Sequence, residues 1–264
     1  MKRLIQLISG LNFACVVRGC RFGYQEFLES CIAALSVVHP RQDPAQRSNL
    51  KRFKSIPLIS LGEILGERRV MVNLEMHKHD DGMLPAHDAI ALLSILAAEK
   101  PGEVLEIGTF MGHTAKAMAA NLPGGLIHTV DLPMDYSEQA DNQSIPKDDF
   151  HLIRRRVVGR EFKGQPVEAR IKQHFGDTAR INFQEFGHPS FFFIDGSHTY
   201  EYCKQDSEKC LALCQGQGTF LWHDCDDWHP GVIQFIYEWR AAGRNISRIE
   251  GTALAYWKSP GPSR

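Results

Sequence analysis

Between Pro85 and Trp257 the period of the apolar positions changes repeatedly, and that change is the main structural signal of the chain. From Pro85 onward, Ile90, Leu92, Leu93, Ile95 and Leu96 fall on a helical stripe that Lys100-Pro101-Gly102 ends. Five short β-rich runs follow: Glu103–Ile107 (EVLEI), Leu126–Asp131 (LIHTVD), Ala169–Phe175 (ARIKQHF), Ser190–Asp195 (SFFFID) and Thr219–Asp224 (TFLWHD). Helical patterns cover Thr114–Asn121, His198–Cys214 and Gly231–Ala242. Four of the five runs are almost continuously apolar, which suits strands buried on both faces of a parallel sheet. A last pair, Ile246–Glu250 and Ala253–Trp257, flanks Gly251-Thr252 and predicts an antiparallel edge. The expected fold class is therefore α/β, a doubly wound and mostly parallel sheet of seven strands.

Upstream the pattern is weaker. Phe27, Leu28, Cys31, Ile32, Leu35 and Val38 have helical spacing that His39-Pro40 ends, and the polar, basic stretch 41–55 with Pro44 inside reads as a linker. Residues 70–83 are rich in His and Asp and predict a loop. Residues 1–80 thus read as a helical N-terminal extension with a linker or lid, and 81–264 as the main domain. A polar insert from Pro133 to Pro166, containing Arg154-Arg155-Arg156, reads as a lid or substrate loop.

Composition narrows the function class. The 264 residues are 43% hydrophobic and 23% charged, as in ordinary globular proteins. Thirty Lys plus Arg against 31 Asp plus Glu provide no basic surplus for phosphate neutralisation, which argues against a nucleic-acid partner. Apolar runs after the N-terminus fall short of a membrane span, so no membrane partner is expected. The start carries Lys2 and Arg3, but Ser9, Gly10 and Asn12 interrupt its apolar stretch and Arg18 follows. It reads as a cytoplasmic extension rather than an export signal. Seven cysteines without CxxC spacing favour reduced thiols and a cytoplasmic setting. The oligomeric state stays open, a homo-oligomer included.

Candidate chemistry gathers at the strand ends, where open α/β sheets bind ligands. Those ends read Gly108-Thr109, Asp131, Gly176-Asp177, Asp195 and His223-Asp224, so the second to the fifth all carry Asp. A strand end does not need an acid for stability. The first run enters the turn Gly108-Thr109-Phe110-Met111-Gly112 and then a helix, which exposes N-terminal amides to a ligand. The spacing is not the dinucleotide GxGxxG, and an ordinary βα turn is the plainer alternative. Asp131, 23 residues after Gly108, can accept both ribose hydroxyls of a nucleoside, a placement shared by nicotinamide dehydrogenases. Asp177 has a helix N-cap as its alternative role, and so does His198. Glu75, His77 and His79 form a weaker, loop-borne cluster. Trp222, Trp228 and His229 flank the presumed site.

The run EIGTFMGHTAKAMA, with FFFIDGSHTYEYCKQD and TFLWHDCDDWHPGV downstream, resembles class I S-adenosylmethionine-dependent methyltransferases. The nearest branch holds the catechol, caffeoyl-coenzyme A and macrocin-type O-methyltransferases. The resemblance runs from about Asp81 to Trp257. It implies a Rossmann-like methyltransferase fold, S-adenosyl-L-methionine as cofactor and a small hydroxylated substrate, such as a sugar or sugar-bearing metabolite. It implies that Glu106 and the turn Gly108, Thr109, Gly112 with Thr114 hold the cofactor's methionine portion. It further implies Asp131 on the ribose, Asp177 with Thr178 at the adenine, and Gly82 and Met83 covering the cofactor.

Asp195, Asp224 and His223, on neighbouring strand ends, can converge to hold a divalent metal, Mg²⁺ or another ion, and the resemblance implies metal binding at Asp195. His198, three residues after Asp195, stands where catechol-type enzymes carry a lysine base; a neutral imidazole suits that work. Without a metal, Asp195 would orient His198. The departure is His223-Asp224-Cys225-Asp226-Asp227, where relatives have Asp-Asn or Asp-Asp. If His223 replaces the first acid, softer ions such as Mn²⁺, Fe²⁺ or Zn²⁺ become competitive. A nicotinamide-dependent oxidoreductase and a non-catalytic nucleoside-binding module remain the alternatives.

Overall fold

Eight strands share one sheet in the computed structural model, which describes residues 44–74, 83–135 and 156–261. In chain order these are β1 (Leu58–Ile59), β2 (Glu103–Ile107), β3 (Leu126–Asp131), β4 (Ile171–Phe175), β5 (Phe191–Ile194), β6 (Thr219–Trp222), β7 (Ser247–Ile249) and β8 (Ala255–Lys258). The helices are α1 (Pro44–Ser55), α2 (Leu61–Leu65), α3 (Ala86–Glu99), α4 (His113–Asn121), α5 (Tyr200–Leu213) and α6 (Pro230–Ala241). The strand order is β1-β7-β8-β6-β5-β2-β3-β4, and the five central strands run parallel. Order reverses between β2 and β5, the switch point at which such sheets open a ligand crevice.

The central runs form strands because they are apolar on both faces. Phe191, Phe192 and Phe193 are all fully buried, and so are Val104, Leu105, Phe220 and Leu221. One core layer joins Phe192, Phe220, Trp222, Phe235 and Trp239; the other joins Leu92, Leu96, Val104, Met118 and Phe193. α3 ends at Lys100 in the left-handed conformation (φ 49°), just before Pro101.

Three expectations change. The sheet has an eighth strand, β1, paired parallel to β7 through Leu58 and Ile59, so the antiparallel pair β7/β8 lies inside the sheet. Two residues are too short for any apolar period to announce. The stretch 41–55, read as a linker, contains α1; its buried residue is Asn49, so no apolar stripe marked it. β1 precedes the expected boundary near residue 80 yet belongs to the same sheet as β2 to β8. Expectations for residues 1–43, for Glu75, His77, His79 and Gly82, and for insert residues 136–155 fall outside the described residues.

Candidate active site

Strand register brings the acids together. Ile107 pairs with Val130 and Ile194, Ile194 pairs with Trp222, and Asp131 pairs with Phe175. The next residue on each strand therefore falls in one row across the carboxyl ends: Asp131, Gly108, Asp195 and His223. A cleft of about 290 Å³ opens over this row and includes Met83, Gly108, Phe110, Asp131, Arg156, Asp177, Thr178, Asp195, His198, Asp206, His223 and Asp224 in its wall. Gly108 has φ 98°, and a β-carbon there would overlap the Asp195 carbonyl, so the β2–β5 approach itself demands glycine.

Asp131 is the anchor of one half. Its Oδ2 accepts the Phe110 N–H (2.7 Å); its Oδ1 accepts the Leu132 N–H (2.7 Å) and Arg156 Nη2 (2.6 Å). Burial pushes its carboxyl above the ordinary range, against the pull of Arg156 and the backbone amides. Phe110 reaches it from a left-handed backbone (φ 48°). Asp177, after β4, accepts the Ala179 N–H (2.9 Å) and the Tyr202 hydroxyl (3.0 Å) on Oδ1.

The other half is a network of imidazoles and carboxylates. His223 Nδ1 lies 3.0 Å from Asp195 Oδ1 and 3.2 Å from Asp224 Oδ1, while its Nε2 lies 3.1 Å from Asp88 Oδ2. His198 Nε2 lies 2.8 Å from Asp224 Oδ2. Burial opposes charge on His223, yet Asp195, Asp224 and Asp88 outweigh it and hold the imidazolium well above the histidine range. Burial likewise raises Asp195, whereas His198 and His223 overcome burial at Asp224 and hold it below the carboxylate range. Asp224 sits at φ 57°, a strained conformation for a non-glycine residue that turns its carboxylate toward both rings. His229 Nδ1 binds Asp226 Oδ1 (2.8 Å), and its ring lies 4.6 Å from that of His198.

The structure thus collects Met83, Gly108, Asp131, Asp177, Thr178, Asp195, His198, His223 and Asp224 around one cleft. It does not bring Glu106, Thr109, Gly112 or Thr114 to the cleft wall. Glu106 is fully buried two residues before Gly108 and takes the Thr129 hydroxyl; burial holds its carboxyl well above the usual range. Thr109 binds Thr129 Oγ1 (2.7 Å) and Gln173 Nε2 (3.1 Å). Gly112 is covered by Phe162, whose ring would stand 2.6 Å from a β-carbon. Thr114 lies in the second residue of α4, beyond that turn. His198 pairs with Asp224, and its charge also acts on Asp195. Trp222 belongs to the core, where its Nε1 donates to Ser207 Oγ (2.8 Å), and Trp228 is 83% exposed.

Sequence reasoning missed Asp88 and Asp206. Both carried a signal: Asp88 shares a helical face with Ala91, Leu92 and Ile95, and Asp206 shares one with Tyr202, Cys203 and Cys210, all buried. A carboxylate on an apolar stripe has to have a partner or a task.

Residues 105–225, from β2 to just past β6, match a family model described as a methyltransferase domain. Among solved structures the chain is similar to the O-methyltransferase TomG from Streptomyces achromogenes, involved in tomaymycin synthesis and determined with SAM. The identity is 14%, covering 90% of this chain and 100% of that one, with a TM-score of 0.48. It is also similar to an O-methyltransferase from Bacillus cereus in complex with SAH, at 15% identity over 86% of this chain and 96% of that one (TM-score 0.46). The cofactor-bound Rv0187 from MTB gives 13% identity over 88% and 97% (TM-score 0.48). Family match, reversing strand order and the row of acids at the carboxyl ends agree: residues 105–225 of this chain resemble a methyltransferase domain.

Proposed function

We propose that the chain methylates a hydroxyl group of a small molecule, such as a sugar or sugar-bearing metabolite. The observation that carries this reading is the His198–Asp224 pair, 2.8 Å apart, at the same cleft as Asp131. Asp131 presents its carboxylate to ribose hydroxyls; Met83, Gly108, Phe110, Asp177 and Thr178 line the rest of the cofactor cleft. When bound, S-adenosylmethionine supplies an electrophilic methyl group. His198 takes the acceptor's hydroxyl proton, and the Asp224 carboxylate stabilises the imidazolium that forms. Fixing the acceptor oxygen in line with the methyl group contributes about 7–11 kcal/mol of barrier lowering in well-oriented systems.

The residues fit a divalent ion. Asp195 Oδ1 and Asp224 Oδ1 lie 3.0 and 3.2 Å from His223 Nδ1, close to the ~3 Å between neighbouring ligands of an octahedral ion with bonds near ~2.1 Å. Asp88 holds the far nitrogen of His223, as carboxylates do behind metal-bound imidazoles. Asp195, His223 and Asp224 would hold the ion, whose chemistry is to lower the pKa of a bound hydroxyl. The mixed nitrogen and oxygen donors favour Mn²⁺, Fe²⁺ or Zn²⁺ beside Mg²⁺. We take the catalytic unit to include residues 45–80 as well as 81–264, since β1 lies in the sheet. The thiols of Cys203, Cys210, Cys214 and Cys225 are free, which supports a cytoplasmic setting. Among the described residues no helix is long and apolar enough to cross a membrane.

The test is mass spectrometry of sugar-bearing acceptors incubated with S-adenosylmethionine and the full chain, with Mn²⁺ or with EDTA. Addition of one methyl group that is lost in His198→Ala is expected. Transfer by His198→Ala at the parent rate overturns the base assignment, and indifference to EDTA overturns the metal.

A further inference from the structure

Asp224 faces a different imidazole with each of its oxygens. Oδ1 lies 3.2 Å from His223 Nδ1, whereas Oδ2 lies 2.8 Å from His198 Nε2. His229 joins from the following loop, its Nδ1 3.7 Å from Asp224 Oδ1 and 2.8 Å from Asp226 Oδ1. One donor atom each from His198, Asp224 and His229 falls within 4.8 Å of the other two. The 2.8 and 3.7 Å separations straddle the roughly 3.3 Å between neighbouring donors of a tetrahedral ion with bonds of about 2.0–2.1 Å. Asp226 Oδ1 stands close enough to His229 to serve as a fourth donor. The loop is also held in place: Asp226 Oδ1 accepts the Trp228 N–H (2.8 Å) and the His229 N–H (3.1 Å), and Asn49 Nδ2 of α1 donates to the Asp227 carbonyl (3.0 Å). The His198 and His229 side chains are 31% and 29% exposed, so an ion reaches them from solvent.

We propose that His198, Asp224 and His229 form a second divalent-cation site, selective for Zn²⁺, which shares Asp224 with the Asp195–His223–Asp224 set. Two imidazoles and a carboxylate in a tetrahedral arrangement suit Zn²⁺, whereas Mg²⁺ demands octahedral oxygen donors. Charge permits both ions: Asp88, Asp195, Asp224 and Asp226 supply four negative charges around His198, His223 and His229, which bind metal as neutral rings. Zn²⁺ entering the second site displaces the proton shared by His198 Nε2 and Asp224 Oδ2, and that proton passes to solvent. The site itself is independent of the methyl-transfer reading, but its consequence rests on it. His198 Nε2 is the atom proposed there to take the acceptor's proton, so Zn²⁺ at this site occupies the base and inhibits transfer.

The experiment is equilibrium dialysis of the metal-free full chain against Zn²⁺, with bound zinc counted per chain. Zinc held elsewhere, on thiols for example, is common to all variants and cancels in the differences. His229→Gln is expected to hold about one Zn²⁺ fewer than the wild type, or to bind it at least about 100-fold more weakly, the most that losing a mere supporting partner costs. His198→Gln loses the same ion from the opposite side and keeps the test open should His229→Gln disturb the loop. Asp195→Asn removes the other ion, so the double variant Asp195→Asn/His229→Gln holds about two fewer than the wild type. Equal zinc in the wild type, His229→Gln and His198→Gln overturns the second site. A double variant that loses no more than Asp195→Asn alone overturns it too, while leaving the ion of the proposed function intact. Loss in both histidine variants with none in Asp195→Asn upholds the second site and overturns that other ion.

Discussion

Asp88→Asn is the substitution that best isolates how the histidine–carboxylate network is held. Asp88 is fully buried in the first turn of α3 and accepts two hydrogen bonds: the Ala253 N–H on Oδ1 (3.1 Å) and His223 on Oδ2 (3.1 Å). An asparagine keeps the size and can keep the bond from Ala253, but its amide nitrogen then faces His223 Nε2. One charge-assisted bond to a buried imidazolium is lost. Asp195 and Asp224 still neutralise the ring, so the cost sits below that of an uncompensated buried charge, at about 1.5–3 kcal/mol. For a chain of this size that lowers Tm by roughly 3–12 °C. Because the amide nitrogen requires a lone pair on Nε2, it places the ring proton on Nδ1, the atom facing Asp195 and Asp224. Affinity for Mn²⁺ should then fall about 10- to 100-fold, as for other lost partners of metal-bound histidines. Thermal melting and Mn²⁺ titration read the two effects separately. A Tm within about 1 °C of the parent together with unchanged Mn²⁺ affinity would refute the claim that Asp88 fixes His223.

Two further perturbations test the frame. Gly108→Ala forces a left-handed backbone onto alanine and drives its methyl group into the Asp195 carbonyl; a loss of at least ~2–3 kcal/mol in urea unfolding is expected, and a loss under ~0.5 kcal/mol would contradict the β2–β5 approach. His174, on β4 beside His128 (3.1 Å), is held down to about 4 by burial and by the neighbouring His128 and Lys172. Its folded pKa lies below the unfolded one, so the unfolded chain binds more protons between about pH 6.5 and 4 and stability is lost as pH falls through that window. With partial exposure discounted, the wild type should lose about 1–2 kcal/mol there that His174→Leu does not, and parallel pH profiles of the two would contradict this.

The sheet was legible because burial on both faces leaves unbroken apolar runs such as Phe191–Ile194, and the acids at strand ends stood out against them. Depth along the strand was less legible. Glu106, expected at the cofactor, lies two residues short of the row formed by Asp131, Gly108, Asp195 and His223, about 3.3 Å of strand rise per residue beneath it. Trp222, one residue before that row, points to the opposite face of the sheet from His223 and packs in the core. Helix-borne site residues were hidden by the opposite effect. Asp88 and Asp206 interrupt apolar stripes, where a single polar residue looks like noise until the partner from a distant strand or loop is known. Asp88 meets His223 across 135 positions of sequence, a separation no local pattern encodes.

The central claim is that one row of strand ends presents Asp131 to a nucleoside beside the histidine–carboxylate network. Calorimetric titration of S-adenosylhomocysteine into the wild type and Asp131→Asn tests it most directly. Saturable binding by the wild type, weakened at least about tenfold in Asp131→Asn, is what the row requires. Equal affinity in the two proteins, or no heat from the wild type, would contradict it.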